Sequence, residues 1–288
     1  NQVLVNVKAA ALNRADIYQR QGSYPAPKGY PTRILGLEFA GVVTEIGSGV
    51  SKFEIGSRVF GITAGGGQAE FVLSDENQLA KIPDNLLWTE AATIPEAFIT
   101  AYDAVWTQGN LSDGETLMVH AVGSGVGLAA LQIAKAKGNK VIGTSRTQDK
   151  LDKCKEFGLD VAINTGENSD FAEDIKNSVG VILDLVGAKY SDANLQSLAL
   201  KGRLILVGLV GGATAAFDLG TALGKRLQIT GTVLRSRSVE EKAEVTANFI
   251  RDILPLVDAE KVKPNLDRVF KVEDVQKAHK YLESNSSF

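Results

Sequence analysis

The sequence predicts an α/β protein in which a parallel, doubly wound sheet is combined with a smaller β-rich domain. From residue 116 onward, short apolar runs alternate with helical patterns, which is typical of successive βα units. Residues 1–93 instead contain short β runs separated by turn residues, which is typical of a small β-barrel. The runs of the first region are 2–9, 41–47, 57–61 and 69–73, and those of the second are 116–121, 140–144, 161–164, 179–184, 203–207 and 227–230.

Helical patterns connect these regions and follow the last of them. A helix over 93–106 links the β-rich region to the parallel sheet, and helices over 239–257 and 275–284 come after it. A short strand over 267–270 lies between these last two helices, so the β pattern returns near the end of the chain. We therefore expect one domain formed by 1–93 together with 235–288, and a second domain formed by 94–234.

Composition and charge narrow the class of protein. With 288 residues, 44% hydrophobic and 23% charged, the chain is long enough for two domains with separate cores. Its formal net charge of −3 gives no reason to expect nucleic acid or a membrane surface as a partner. The sequence has no apolar run of the length that a membrane span needs, and residues 1–7 alternate like a strand. Because the chain opens on a strand without an initiator Met, we expect it to be part of a longer protein.

The chain has few metal-binding or redox-active side chains. Cys154 is the only cysteine, so no intrachain disulfide forms and a reducing, cytoplasmic location is expected. The only histidines are His120 and His279, which excludes a structural zinc site rich in cysteine. His120 lies within an apolar run, which favours a hydrogen-bonded core histidine over a catalytic one.

A glycine-rich segment follows the predicted strand 116–121 and precedes a helical pattern over 128–138. Its glycines let the backbone approach a pyrophosphate, and the free amides at the helix start favour the negative charge. Leu128 stands where a strict G-x-G-x-x-G motif counted from Gly123 has its third glycine, and such loops are often plain turns. The flanking strand, helix and second strand nevertheless favour a dinucleotide site. Its predicted residues are Gly123, Ser124, Gly125, Val126 and Gly127.

The end of the next predicted strand indicates which dinucleotide is bound. An NAD site usually has an acidic residue about 20 positions after the glycines, on the ribose 2′-hydroxyl. This chain has Ser145 and Arg146 there, with Lys150 one helical turn further on and no carboxylate before Asp149. Two cations and a hydroxyl suit a 2′-phosphate, so we favour NADPH over NADH. The alternative is that Arg146 and Lys150 are solvated charges at a helix start.

Several further segments resemble the zinc-independent quinone oxidoreductases of the medium-chain dehydrogenase/reductase superfamily. The resemblance covers essentially the whole chain and lies in 11–16, 19–24, 35–41, 65–69, 94–97, 124–127 and 234–237. It implies a GroES-like β-barrel catalytic domain, a Rossmann domain that binds NADPH, and a homodimer. The family's first barrel strands and its last strand are absent from the sequence.

The resemblance also identifies the positions of a catalytic metal. Zinc-dependent relatives have Cys, His and Cys as ligands where this chain has Asn13, Leu37 and Glu96. Leucine cannot bind a metal, and an Asn with a Glu is a poor zinc site. We therefore expect no metal, and hydride transfer from nicotinamide to a quinone, whose oxygens need only hydrogen-bond donors. Alternatives that stay open are an enone or alkenal reductase and a crystallin-like NADPH-binding protein with little turnover.

Three residues are candidates for a direct role in the reaction. In related quinone reductases the Asn matching Asn13 lies by the nicotinamide ribose. Asp16 lies in the same turn, and a role as the cap of the following helix is as well supported for it as a role in the site. Tyr24 falls in a loop that borders the quinone pocket in the family, although an exposed tyrosine without a role is an alternative. Thr100 resembles the threonine that faces the nicotinamide, with packing against the preceding helical turn as the competing explanation. Glu96 is expected to have a raised pKa if buried, or to bond backbone amides.

The remaining expectations concern the edges of the parallel sheet. By resemblance, Asn164 lies near the adenine, backbone groups of Val207, Gly208 and Leu209 bond the carboxamide, and Arg235 belongs to a segment that covers the cofactor. The predicted strand 227–230 is expected to be the last strand of its sheet. Relatives pair this strand with its copy, so we expect a homodimer, with shielding of the edge by the loop 211–220 as the alternative.

Overall fold

The computed structural model describes residues 1–167 and 170–288, which form two compact units. The first unit comprises Asn1–Ile99 and Leu234–Phe288, and the second comprises Thr100–Val233. The first boundary therefore lies between residues 99 and 100, inside a helix, and not between 93 and 94 as predicted. The second lies one residue before the predicted position.

Strands and helices follow the chain in this order. The strands are β1 Gln2–Ala9, β2 Glu38–Ile46, β3 Arg58–Ile62, β4 Phe71–Asp75, β5 Leu79–Lys81, β6 Thr116–Val119, β7 Lys140–Ser145, β8 Val161–Asn164, β9 Val179–Asp184, β10 Leu198–Leu206 and β11 Gln228–Gly231. The helices are α1 Arg14–Arg20, α2 Trp88–Ala91, α3 Pro95–Tyr102, α4 Gly125–Ala136, α5 Gln148–Glu156, α6 Ser191–Ser197, α7 Leu219–Lys225, α8 Val239–Asp252, α9 Leu254–Asp258 and α10 Val275–Glu283.

The first unit is built on an antiparallel sheet of five strands in the order β4-β1-β2-β3-β5. Alternate residues of β1 point to one face, so Val3 and Val5 are fully buried and pack with Phe39, Val43 and Val59. Within the described residues β4 and β5 each pair on one side only, so they are the two outer strands of this sheet.

Two predictions for the last part of the chain are wrong in detail. Residues 267–270 form no strand, because no ladder partner lies beside them within the described part of the chain, and Val269 remains 58% exposed. The single helix predicted over 239–257 is divided at Ile253 into α8 and α9, where Pro255 in the first turn of α9 has no amide to continue the ladder.

The second unit has a parallel sheet of six strands in the order β11-β10-β9-β6-β7-β8. Strands β8 and β9 have the predicted bounds, and β11 is the edge strand, as predicted. Because the strands are parallel, the loops that follow β6, β7, β8 and β9 meet at one edge of the sheet, which is where such folds bind ligands. None of the helices in 1–167 and 170–288 has the length and apolar character to cross a membrane.

Candidate active site

The turn between β6 and α4 is built to expose helix amides. Ser124 is the N-cap of α4, and its hydroxyl accepts a hydrogen bond from the Gly127 amide at 3.2 Å. A Cβ at Gly127 would lie 2.6 Å from the carbonyl oxygen of Ala121, so this position admits only glycine. Ser124 and Gly125 are exposed, and the first-turn amides of a helix have no partner within it. This turn therefore offers donors and the positive end of a helix dipole to an anion.

His120, just before this turn, is fully buried and hydrogen-bonded through both ring nitrogens. Its Nδ1 lies 2.9 Å from the hydroxyl of Thr144, and its Nε2 lies 2.6 Å from Oδ1 of Asn194. Burial lowers the pKa of His120, so the ring is neutral and its Nε2–H donates to the Asn194 carbonyl. The predicted core histidine is confirmed, and it ties the end of β6 to the end of β7.

The residues predicted to bind a 2′-phosphate follow at the carboxyl end of β7. Ser145 is buried, and its hydroxyl accepts a hydrogen bond from the Thr147 amide at 3.3 Å. Arg146 is exposed, and Lys150 lies half-buried in the first turn of α5. Asn164 pairs with Ser145 in the register of β7 and β8. These four residues therefore gather at one corner of the sheet.

The side chain of Asn164 makes hydrogen bonds within the turn that follows β8. Its Nδ2 donates to Glu167 Oε1 at 2.9 Å, and its Oδ1 accepts from the Gly166 amide at 3.0 Å. Asn164 therefore shapes the turn after β8, and its predicted contact with adenine stays a prediction.

The segment after β10 is held against the end of β9. The amides of Val207 and Gly208 donate to the carbonyl oxygen of Asp184 at 2.9 and 3.2 Å. A Cβ at Gly208 would lie 2.7 Å from the carbonyl oxygen of Leu185, so only glycine allows this approach. Leu209 is 53% exposed. The predicted carboxamide contacts of these three residues stay predictions.

Thr100 lies near the end of α3 with a buried hydroxyl. Within the described residues this oxygen has no hydrogen-bond partner, so it does not bond the carbonyl of the preceding helical turn, the competing explanation for this threonine. An unsatisfied buried hydroxyl costs free energy unless a ligand completes it. The predicted position of Thr100 facing the nicotinamide stays a prediction.

In the first unit, Asn13 and Asp16 organise the start of α1. The Asn13 amide donates to Asp16 Oδ2 at 2.8 Å, so the expected helix cap by Asp16 is confirmed. The other oxygen of Asp16 accepts from the Gly36 amide, also at 2.8 Å. Asp16 is fully buried, and it holds the loop before β2 against α1.

Glu38, at the start of β2, is a site residue that sequence reasoning missed. Its side chain is buried, with Oε1 2.7 Å from Asn13 Nδ2 and Oε2 2.8 Å from the Glu96 amide. The available signal was an ionisable residue inside the apolar stretch 37–43, because a buried charge is rare without a partner. Glu38 thus joins the start of α1 to the first turn of α3.

Asp16, Glu38 and Glu96 form a cluster of carboxyl groups, and burial has the largest effect on the pKa of each of them. Burial is the main cause that raises the pKa of Glu38 to about 8; the charges of Glu96 and Asp16 add to the rise, and the hydrogen bonds from Asn13 and the Glu96 amide oppose it. Burial and the charge of Asp16 raise the pKa of Glu96 to about 7, against the opposing effects of Arg235 and Lys242. The expected raised pKa of Glu96 is confirmed. Two carboxyl groups of the first unit therefore change charge near neutral pH.

Arg235 has a role within the first unit. It is 5% exposed, and its guanidinium donates to the carbonyl oxygens of Ala64 at 2.8 Å and Tyr24 at 2.9 Å and to the side-chain oxygen of Gln19. It also lies 4.9 Å from the ring centroid of Tyr24. Arg235 therefore fixes the loop that carries Tyr24, and its predicted cofactor contact stays a prediction.

Tyr24 is half-buried, and burial together with the charge of Glu96 raises the pKa of its phenol. Tyr24 therefore stays protonated at neutral pH and can donate a hydrogen bond.

The three positions that the resemblance identified with the metal ligands of zinc-dependent relatives, Asn13, Leu37 and Glu96, lie in the first unit. Leu37 is 1% exposed and packs as a core residue, and the side-chain Nδ2 of Asn13 donates one hydrogen bond to Glu38. Among the described residues no group of three or more His, Cys, Asp or Glu side chains is placed to hold a metal ion. The expected absence of a catalytic metal stays a prediction.

Comparisons with known proteins match this architecture. Residues 1–84 match the family model described as "Alcohol dehydrogenase GroES-like domain", and residues 125–250 match the model "Zinc-binding dehydrogenase". The quinone oxidoreductase of Rattus norvegicus is 31% identical over 285 residues, which cover 97% of this chain and 84% of the rat protein. The chain belongs to the quinone oxidoreductase family.

Solved structures of this superfamily have the same fold. The Escherichia coli quinone oxidoreductase, solved in complex with NADPH, aligns with a TM-score of 0.85 at 29% identity, covering 100% of this chain and 89% of the other. The JamJ enoyl reductase aligns with the same TM-score of 0.85 at 26% identity, covering 99% of this chain and 88% of the other. The chain is therefore an oxidoreductase of the medium-chain dehydrogenase/reductase superfamily, with a GroES-like domain and a Rossmann-type domain.

Proposed function

We propose that this oxidoreductase is an NADPH-dependent quinone reductase that works without a metal ion. The observation that carries the proposal is the side-chain set at the family's metal positions, Asn13, Leu37 and Glu96, in a chain that belongs to the quinone oxidoreductase family. An alcohol substrate needs a Lewis acid to stabilise its alkoxide, and these side chains make a poor zinc site. A quinone is a stronger electrophile that requires hydrogen-bond donors instead.

The second unit supplies residues suited to hold NADPH. The exposed first turn of α4 suits the pyrophosphate, and Ser145, Arg146 and Lys150 suit the 2′-phosphate. The partnerless hydroxyl of Thr100 suits a polar group on the nicotinamide nucleotide. When bound, the reduced nicotinamide supplies a hydride.

The first unit supplies the groups that suit the acceptor. Asn13 is held in one orientation by Glu38, and Tyr24 keeps its phenolic proton at neutral pH. An amide N–H and a phenol O–H both stabilise the negative charge that develops on a quinone oxygen as hydride arrives. These two residues therefore orient the acceptor and stabilise its reduced form.

Reduction of an activated alkene conjugated to a carbonyl is the second candidate. It requires the same hydride donor and a donor to the carbonyl oxygen, and the likeness to the JamJ enoyl reductase favours it. Alkene reduction differs from quinone reduction in one requirement: one carbon of the double bond receives the hydride and the other receives a proton.

The test is consumption of NADPH, followed by its absorbance, with a small ortho- or para-quinone beside an enone. We expect turnover with a quinone that exceeds turnover with the enone, and a lower rate with NADH. Turnover with the enone alone would replace the first candidate by the second. NADPH binding by calorimetry without turnover of either compound would identify a cofactor-binding protein and overturn both.

A further inference from the structure

Three buried or half-buried carboxyl groups lie together in the first unit, and they differ in how their oxygens are used. Asp16 accepts two backbone amides, and Glu38 accepts the Asn13 side chain and the Glu96 amide. Within the described residues, the Glu96 side chain accepts no hydrogen bond, and it is partly exposed. Glu96 is therefore the member of the cluster that remains available to a ligand.

We propose that Glu96 is a catalytic acid that donates a proton to the acceptor as the hydride arrives. The inference rests on the proposed function, and it assigns the proton where Asn13 and Tyr24 supply only hydrogen bonds. Glu38 is 1% exposed, and both of its carboxyl oxygens accept hydrogen bonds within the first unit. It therefore positions Asn13 and the first turn of α3 and does not contact the acceptor.

The surroundings of Glu96 suit a group that must hold and release a proton. Five charged or titratable groups of the first unit interact electrostatically with Glu96 in the described structure: Asp16 on α1, Tyr24 in the loop after α1, Glu38 on β2, Arg235 in the segment before α8, and Lys242 on α8. Burial and Asp16 raise its pKa to about 7, while Arg235 and Lys242 limit the rise. An acid with a pKa near the working pH is the most effective proton donor.

The reaction balances with NADPH and one proton from solvent as the other reactants. The quinone receives two electrons and one hydrogen nucleus as hydride, which breaks the C–H bond of the reduced nicotinamide and forms an O–H or C–H bond on the acceptor. The acceptor anion takes a proton from the Glu96 carboxyl, which becomes a carboxylate. That carboxylate takes up one proton from bulk solvent before the next turnover, which is the proton consumed in the net reaction. For an enone the same proton goes to carbon.

The first experiment compares the pH dependence of quinone reduction in the wild type and in Glu96→Gln. Glutamine has nearly the same shape as glutamate, and in the part of the chain that the structure describes the Glu96 side chain accepts no hydrogen bond that the exchange could remove. We therefore expect the variant to fold. We expect the wild-type rate to fall as the pH rises through about 7, and the variant to be about 100-fold slower below that pH, with no such fall. The matched control is Glu45→Gln, the same exchange at an exposed position of β2, which should behave like the wild type.

The second experiment changes the pKa of Glu96 by a substitution at a neighbouring residue. Lys242 is 2% exposed, and its charge favours ionised Glu96. Lys242→Met removes that charge, so the fall in rate should move to higher pH. A purely structural role of Lys242 would lower the rate at every pH without moving the profile, and an unfolding curve identifies a variant that does not fold.

A third measurement uses the protein without cofactor. NMR of protein labelled in the glutamate carboxyl carbon should show a carboxyl that titrates near pH 7, that is missing in Glu96→Gln and that moves upward in Lys242→Met. Wild-type turnover with an unchanged pH profile in Glu96→Gln would overturn this inference and leave the proposed function standing. No wild-type turnover with any acceptor would overturn both.

Discussion

Glu38 holds Asn13 by a hydrogen bond of 2.7 Å from the Asn13 amide nitrogen to the Glu38 carboxyl, entirely within the first unit. The second Glu38 oxygen accepts the Glu96 amide at 2.8 Å, so a single buried side chain sets the position of two candidate site residues. Because Glu38 is 1% exposed, water cannot replace either donor when one is removed.

Asn13→Ala should therefore lower stability as well as activity. The substitution leaves one oxygen of Glu38 buried without a donor, which costs about 1–3 kcal/mol of unfolding free energy. Urea unfolding measures the loss. Asn85→Ala, at an exposed position of the same unit, is the matched control and should change stability by less than about 0.5 kcal/mol. Equal losses in the two variants would show that the contact contributes nothing.

The raised pKa of Glu38 makes stability depend on pH in a definite direction. The folded-state pKa of about 8 exceeds the ordinary value of 4.5, so the native state binds more protons than the unfolded state between these values. Unfolding free energy therefore falls as the pH rises from about 5 to about 8, by an amount on the order of 3 kcal/mol. Glu38→Gln cannot ionise, so its unfolding free energy should be flatter over this range.

Unfolding curves at several pH values measure this difference between the wild type and Glu38→Gln. The histidines His120 and His279 have lowered pKa values, so they act in the opposite direction and below about pH 6.5. Their contribution is the same in both proteins and cancels in the comparison. Parallel pH profiles for the two proteins would contradict the ionisation of Glu38 in this range.

Much of the fold follows from local patterns in the sequence. Strands β8 and β9 are continuous apolar runs between turn signals, and a parallel strand buried on both faces needs that pattern. Residues 267–270 carry a similar short pattern and yet form no strand, because a strand needs a neighbour whose position the local sequence does not encode. The break at Ile253 and the boundary inside α3 depend on packing in the same way.

The candidate site was predictable where it depends on short segments and unpredictable where it depends on tertiary contacts. The turn around Ser124 combines a cap residue with glycines, so its role was readable in the sequence. Glu38 contacts residues 25 and 58 positions away, and Arg235 reaches residues more than 170 positions away. No spacing rule identifies such pairs, so the role of Glu38 and the contacts of Arg235 within the first unit were not predicted.

Metal independence has a direct chemical test. Purified protein should contain no stoichiometric zinc, because Leu37 has no ligand atom and Asn13 is bound to Glu38. Elemental analysis measures the content, and quinone reduction should be unchanged by a chelator. Activity that disappears with chelator and returns with zinc would contradict the assignment of these positions.

Cofactor choice should depend on Arg146 and Lys150. Changing both to alanine removes two cations from the corner of the sheet next to Ser145, so binding of NADPH should weaken while binding of NADH changes little. Each lost charge-assisted hydrogen bond should cost about 1.5–3 kcal/mol. Calorimetry with both cofactors measures this, with Lys140→Ala, an exposed position at the opposite end of β7, as the control. An equal loss for NADPH and NADH would contradict the assignment.

Strand β11 is the place where we expect a second copy of the chain to bind. It pairs only with β10 in the described structure, so its other edge keeps unpaired amides and carbonyls. Ile229 on this strand is 41% exposed, and Leu219 and Leu223 on α7 are 75% and 80% exposed. The loop 211–220, proposed as a shield in a monomer, consists almost entirely of exposed residues. Exposed apolar side chains on the edge strand itself and on the helix that precedes it favour pairing over shielding.

Light scattering at micromolar concentration should therefore give a mass near twice 30.6 kDa. Ile229→Lys places a charge on the edge, where it opposes strand pairing, and should shift the protein toward the monomer. Leu87→Lys adds the same charge at an apolar residue of the first unit that is 67% exposed, and should leave the mass unchanged. A wild-type monomer that persists on concentration contradicts the pairing, because an edge that stays unpaired at high concentration must be protected within one chain.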